Sequence, residues 1–174
     1  ESVNFSINKG KKVAVVGPNG GGKSTLFNAI AGLIPLTEGS LTIKGKSPED
    51  AKGTVSYVPQ KDLMNWNFPL SVKQVVEMGI TNRNTISIFK RKKINNKIEK
   101  ALESVGLLEK INENIKSLSG GQLQRVLIAR ALAQDSDILL LDEAFSAVDV
   151  GAQEDIMQLI NNINLDGKTI LIAT

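Results

Sequence analysis

The chain of 174 residues contains no cysteine, which excludes disulfides and thiolate metal sites and is compatible with a reducing compartment. No apolar run approaches the roughly 18–20 residues that a helix needs to cross a bilayer. The opening Glu1-Ser2-Val3-Asn4 carries no signal-peptide pattern. Neither sign of charge dominates, since 21 Lys and Arg stand against 18 Asp and Glu, for a net charge of +3 and a pI of about 9.1. Aromatic residues make up only 4% of the chain, and the densest basic run, Lys90-Arg91-Lys92-Lys93, is not interleaved with them along one face. Nucleic acid is therefore not indicated as a partner. That run reads as a solvated loop or helix start, or as a patch beside anionic lipid. There is no internal repeat, no low-complexity segment and no sustained heptad pattern between Thr25 and Leu118. What is present, 41% hydrophobic and 22% charged residues, suits one domain over 1–174 with a real core.

Short apolar runs alternate with helical periodicity, which predicts parallel strands buried between helices. The expected sheet strands are 13–16, 55–58, 138–141 and 169–173. Segments 3–7 and 41–45, the second alternating and ending in Gly45, predict an antiparallel β-layer at the start of the domain. Ile98, Ala101, Leu102 and Val105, and later Ile156, Leu159, Ile160 and Ile163, recur at helical spacing and predict amphipathic helices that pack on a core. The stretch from Met78 to Lys100 is polar enough to suggest an exposed subdomain.

The most specific local signal is Gly17-Pro18-Asn19-Gly20-Gly21-Gly22-Lys23-Ser24-Thr25, directly after the apolar run Val13-Ala14-Val15-Val16. Glycines at this spacing let the backbone aim several N–H groups at phosphate oxygens. Lys23 is placed to reach the terminal phosphates, and the Ser24 hydroxyl to ligate Mg²⁺. The helix expected to begin there points its positive end at the same anion. Downstream, Ile138-Leu139-Leu140-Leu141 delivers Asp142 and Glu143 to the carboxyl end of a strand, where open α/β sheets bind ligands. Asp142 is a candidate Mg²⁺ holder, and Glu143, facing elsewhere, a candidate general base for an attacking water. Ser119-Gly120-Gly121-Gln122 opens a further helix, and Ser119 with Gln122 has capping-box spacing. A capped helix end preceded by glycines is also an anion site, so local reasoning leaves both readings open.

Taken together, Gly17–Thr25 as a Walker A loop, Leu118-Ser119-Gly120-Gly121-Gln122 as a signature motif and Asp142 ending a Walker B strand resemble the ATPase subunits of the ABC family over nearly the whole chain. Gln60 in Tyr57-Val58-Pro59-Gln60 resembles the family's Q-loop, and Ser146-Ala147-Val148-Asp149 its D-loop. The resemblance implies an α/β P-loop NTPase fold: a mainly parallel sheet between helices, an N-terminal antiparallel β-layer, and a helical subdomain at about 70–125 carrying the signature. It implies ATP and Mg²⁺ as cofactors, with Gly17, Pro18, Asn19, Gly20, Gly21, Gly22, Lys23, Ser24 and Thr25 around the phosphates. Ser24, Gln60 and Asp142 are expected at Mg²⁺, and Glu143, Gln60 and Lys23 in catalysis. Two such domains would pair head to tail, so that Ser119, Gly120, Gly121 and Gln122 bind the partner's nucleotide, and Asp149 would couple the two sites. The Gln60 loop and Asn65-Trp66-Asn67-Phe68-Pro69 would face an integral membrane permease, with a solute-binding protein as an indirect partner and the subunit peripheral on the cytoplasmic face. Tyr57–Gln60, Trp66–Val72 and Val75–Gly79 look most like the subgroup that imports manganese, zinc or iron. A soluble family ATPase acting on nucleic acid or ribosomes is the alternative.

Three departures accompany the resemblance. The chain has no histidine, so the family's switch histidine is expected beyond Thr174, and the adenine-stacking aromatic before Glu1; both ends are expected to be cut. Ala144 stands where the family often has proline, a change expected to alter loop stiffness more than chemistry.

Overall fold

The computed structural model of the chain describes residues 3–51, 53–60, 69–80, 88–145 and 148–174. Strand β1 (Lys12–Val15) leads into helix α1 (Lys23–Ile30). After strand β2 (Val55–Val58) come helices α2 (Val72–Glu77), α3 (Ile88–Ser104) and α4 (Gly120–Ala133). Strand β3 (Ile138–Asp142), helix α5 (Val150–Leu165) and strand β4 (Thr169–Ala173) complete the order. The four strands form one parallel sheet in the order β1-β4-β3-β2.

The central strands β3 and β4 are apolar at nearly every position because both of their faces are covered. Period-two geometry divides them. Leu139, Leu141, Ile170 and Ile172 join the larger core with α2, α3, α4 and α5, whereas Leu140, Leu171 and Ala173 join a smaller core with Phe27 and Ile30 of α1. Ile98, Ala101, Leu102 and Val105 are buried as their spacing predicts, as are Ile156, Ile160 and Ile163, with Leu159 packed at the margin. Burying one such isoleucine fully is worth about 1.5–3 kcal/mol. Helix α4 is buried on most sides, touching α2, α3, β2 and α5. Its contact with the segment after α2 is so close that a Cβ on Gly79 would lie 1.9 Å from the Arg130 carbonyl oxygen. Burial of Arg130 pulls its guanidinium below the usual arginine range.

The expected antiparallel layer is not formed among the described residues. Residues 3–8 make no strand, and 41–46 contains only a bridge between Ile43 and Lys46. Lys44 (φ 52°) and Gly45 (φ 77°) are both left-handed, the geometry of a tight reversal. The segment therefore bonds to itself, Ile43 N–H to the Lys46 carbonyl at 2.8 Å and Lys46 N–H back at 3.1 Å. The first sheet strand also ends one residue earlier than expected, leaving Val16 exposed at the start of the glycine loop.

Candidate nucleotide site

Residues 17–22 connect β1 to α1 through a backbone only glycine enters without strain at two points. Gly20 (φ 77°) and Gly22 (φ 85°) are left-handed, and Gly22 occupies the cap position of α1 with no side-chain cap. No acidic residue lies in the first turn, so the positive helix end is not neutralised locally. Gly21 N–H donates to the Pro18 carbonyl at 3.0 Å, and a Cβ on Gly21 would meet that oxygen at 2.9 Å. Lys23 is almost buried and closes the loop from inside, its Nζ donating to the carbonyls of Gly17 at 2.7 Å and Pro18 at 3.1 Å. An ammonium has three donors, so one is left for an anion.

A cavity of about 380 Å³ opens over this loop, lined by residues 19–25 together with Gln60 and Glu143. Gln60 follows the end of β2 and Glu143 the end of β3, so the parallel sheet delivers both to the mouth of the loop after β1. Glu143 adopts φ 49° and donates its N–H to the Ala173 carbonyl at 3.2 Å. The left-handed turn is costly for a residue with a side chain, and it sends Glu143 to the cavity while Asp142 stays within the sheet.

Asp142 is fully buried. Its Oδ2 accepts a hydrogen bond from the Tyr57 hydroxyl at 3.0 Å, and its Oδ1 has no hydrogen-bond partner among the described residues. Burial first, and then the hydrogen bond and charge of Asp142, push the Tyr57 phenol well above its ordinary range. An orphaned carboxylate oxygen at the end of a buried strand fits a hard cation that takes oxygen ligands and keeps some of its waters. No group of three or more His, Cys, Asp or Glu side chains that could hold a metal ion occurs among the described residues.

The segment 119–122 does not line this cavity. Ser119 and Gln122 form the capping box, with Gln122 N–H to Ser119 Oγ at 3.2 Å and Ser119 N–H to Gln122 Oε1 at 3.0 Å. Gly121 faces inward, where a Cβ would stand 2.8 Å from the Ala152 Cβ. Asp149 caps α5 by accepting from the Ala152 N–H at 3.0 Å. Two tertiary ties were not foreseen: Arg125 pairs with Asp155 across α4 and α5 at 2.8 Å, and Gln153 Nε2 donates to the Phe145 and Val148 carbonyls at 3.3 and 2.9 Å. Ser146 and Ala147 of the expected D-loop, and Asn65, Trp66, Asn67 and Phe68 of the expected permease-facing segment, lie outside the described residues.

The ABC transporter family model matches residues 1–146. The chain belongs to the ABC transporter family. Over 175 residues it is 41% identical to the manganese transport system ATP-binding protein MntB of Bacillus subtilis, covering 99% of this chain and 69% of that protein. It is 39% identical over 171 residues to the zinc transport system ATP-binding protein TroB of Treponema pallidum, covering 98% and 64%. The chain thus spans about two thirds of the length of these relatives. Among solved structures, the dimeric bacterial ABC transporter cassette MJ0796 superposes with a TM-score of 0.82 at 34% identity, over all of this chain and 78% of that one. A post-hydrolysis dimer of the same cassette, bound to ADP and Pi, gives a TM-score of 0.79 at 33% identity, with the same coverage. The fold is that of ABC ATPase cassettes, α/β with a parallel sheet between helices.

Proposed function

We propose that this chain is the ATP-binding and ATP-hydrolysing subunit of an ABC importer that drives a divalent metal ion, manganese, zinc or iron, through a membrane permease. The observation that carries the catalytic part is the convergence of the glycine loop, Gln60 and Glu143 on one cavity, with the buried Asp142 one residue before Glu143 at the end of β3. The transported metal is inferred from the manganese and zinc systems to which the relatives belong. Those relatives favour transport over a soluble ATPase acting on nucleic acid or ribosomes.

Backbone N–H groups of residues 17–25 and the α1 N-terminus hold the phosphates, and Lys23 adds its remaining donor at the β- and γ-phosphates. Ser24, Asp142 and the Gln60 amide oxygen would hold Mg²⁺, which would supply positive charge against the phosphates. Glu143 accepts a proton from water as its oxygen bonds to the γ-phosphorus, while the bond from that phosphorus to the ADP oxygen breaks. Ser119, Gly120, Gly121 and Gln122 act on the nucleotide of a second cassette in a head-to-tail dimer, in keeping with their position outside this chain's own cavity. Residues of about 70–125 form the helical subdomain that carries them. No helix among the described residues is long and apolar enough to cross a membrane. The subunit sits at the cytoplasmic face on the permease, with a solute-binding protein on the far side.

The test is Glu143→Gln. It should leave ATP binding intact, slow hydrolysis by roughly two to four orders of magnitude, and trap a dimer visible by size-exclusion chromatography with MgATP. Hydrolysis at the parental rate removes Glu143 from the reaction.

A further inference from the structure

Tyr57 lies three residues before Gln60 on β2, and β2 pairs in parallel with β3 so that Tyr57 is level with Leu140. Asp142, two residues further along β3, is on the same face of the sheet as Leu140. The two side chains therefore meet diagonally across neighbouring strands, and the Tyr57 hydroxyl donates to Asp142 Oδ2 at 3.0 Å. The tyrosine ring packs against the smaller core that Leu140 forms with Phe27 and Ile30 of α1. That is the helix whose first turn contains Lys23 and Ser24. The hydroxyl is thus fixed relative to the glycine loop as well as to the carboxylate.

We propose that Tyr57 is a positioning residue for the Mg²⁺-holding carboxylate: by occupying Oδ2 it sets the rotamer of Asp142 and commits only Oδ1 to the cation. This rests on the reading of Asp142 as a Mg²⁺ holder. Two facts carry it. Asp142 is fully buried, so water cannot order its carboxylate from outside, and its two oxygens are treated unequally, one bonded by Tyr57 and the other without a hydrogen-bond partner among the described residues. A carboxylate held through one oxygen presents the other in a fixed direction, whereas one free to rotate must be ordered each time a cation binds. A merely structural hydroxyl would satisfy a buried acceptor without any preference for the metal-loaded state.

The decisive variant is Tyr57→Phe, which keeps the ring and removes the donor. With the complete protein, ATP affinity in EDTA should stay within about twofold of the parent. Mn²⁺ binding to the ATP-loaded protein, read by electron paramagnetic resonance, should weaken by about 10–100-fold, the scale for losing an outer partner of a metal ligand. ATPase activity should recover toward the parental kcat as Mg²⁺ is raised. An Mn²⁺ affinity within about threefold of the parent, on that same scale, overturns the proposal, as does an equal loss of ATP affinity in EDTA. Asp142→Asn separates the two levels of inference. If it too leaves Mn²⁺ binding unchanged, the assignment of Asp142 fails; if it abolishes binding while Tyr57→Phe does not, only the role of Tyr57 fails. Tyr57 is the only tyrosine in residues 1–174, so fluorotyrosine labelling of the complete protein, with any tyrosine elsewhere replaced by phenylalanine, gives one ¹⁹F resonance for this site. Adding Mg²⁺ to the ATP complex should move that resonance in the parent and not in Asp142→Asn. An unmoved resonance in the parent overturns the proposal even if Tyr57→Phe does not fold.

Discussion

Replacing Gly121 by alanine sets two readings of the helix α4 N-terminus against each other. The added Cβ would stand 2.8 Å from the Ala152 Cβ, whereas apolar carbons rest at about 3.5–4.0 Å. The first turns of α4 and α5 would thus have to part by about 1 Å. Overpacking of this kind costs about 1–3 kcal/mol, and exchanging glycine for alanine within a helix returns about 0.5–1 kcal/mol. The net expectation is a loss of up to about 2.5 kcal/mol, or up to about 10 °C in Tm for a domain of this size. Ala152→Gly removes the opposing methyl and should by itself cost about 1 kcal/mol in helix propensity. The double variant relieves the clash, so its loss should fall short of the sum of the single losses by at least about 1 kcal/mol, well outside the 0.3–0.5 kcal/mol expected of independent sites. Urea unfolding at constant m-value measures all three. ATPase activity in the complete protein should fall in Gly121→Ala and return in the pair, because the Cβ direction of residue 121 is inward and its backbone N–H, the group available to a partner's nucleotide, is unchanged. Additive stabilities would refute the packing argument. Restored stability with activity still lost would show that the open space above Gly121 is needed on the partner side.

Two further outcomes follow from the same geometry. Lys23→Ala deletes the cation aimed at the phosphates and both of its bonds to the loop carbonyls, and should weaken nucleotide binding by about 30- to 1000-fold on the scale of one or two charge-assisted hydrogen bonds; parental affinity in a fluorescent ATP-analogue titration would exclude the phosphate-loop assignment. Tyr57 should show no tyrosinate absorbance near the ordinary pKa of about 10 while the protein remains folded. Its folded pKa is raised, by burial first and Asp142 second, so its contribution to stability is full below the unfolded value and declines as pH rises from there toward the folded one. The only tyrosine titrating normally with an intact circular dichroism spectrum would contradict the buried hydrogen bond.

Much of the candidate site was legible because its determinants are local. The glycines of 17–22, the lysine after them and the strand and helix on either side lie within a few residues of one another, and left-handed φ at Gly20 and Gly22 explains why glycine stands there. The capping box at Ser119 and Gln122 spans one helical turn and could be read from spacing alone. Unbroken apolar runs located β3 and β4, and helical periodicity located the buried stripes of α3 and α5. The antiparallel layer was misread because alternation in 41–45 resembles a strand, while the chain reversal at Lys44 and Gly45 makes that segment its own partner.

By itself, then, the sequence determined where the four parallel strands, the buried helices and the glycine loop lie, since those depend on residues one or two turns apart. Only the tertiary structure decided which strands are neighbours. The order β1-β4-β3-β2 carries Gln60 and Glu143 to the glycine loop and sets Tyr57 against Asp142, a residue 85 positions away. It likewise set Gly121 on Ala152, so that a residue expected to serve a partner's nucleotide is also constrained from within its own chain. Such pairings arise from burying whole faces of strands and helices together, and no local pattern records which face will meet which.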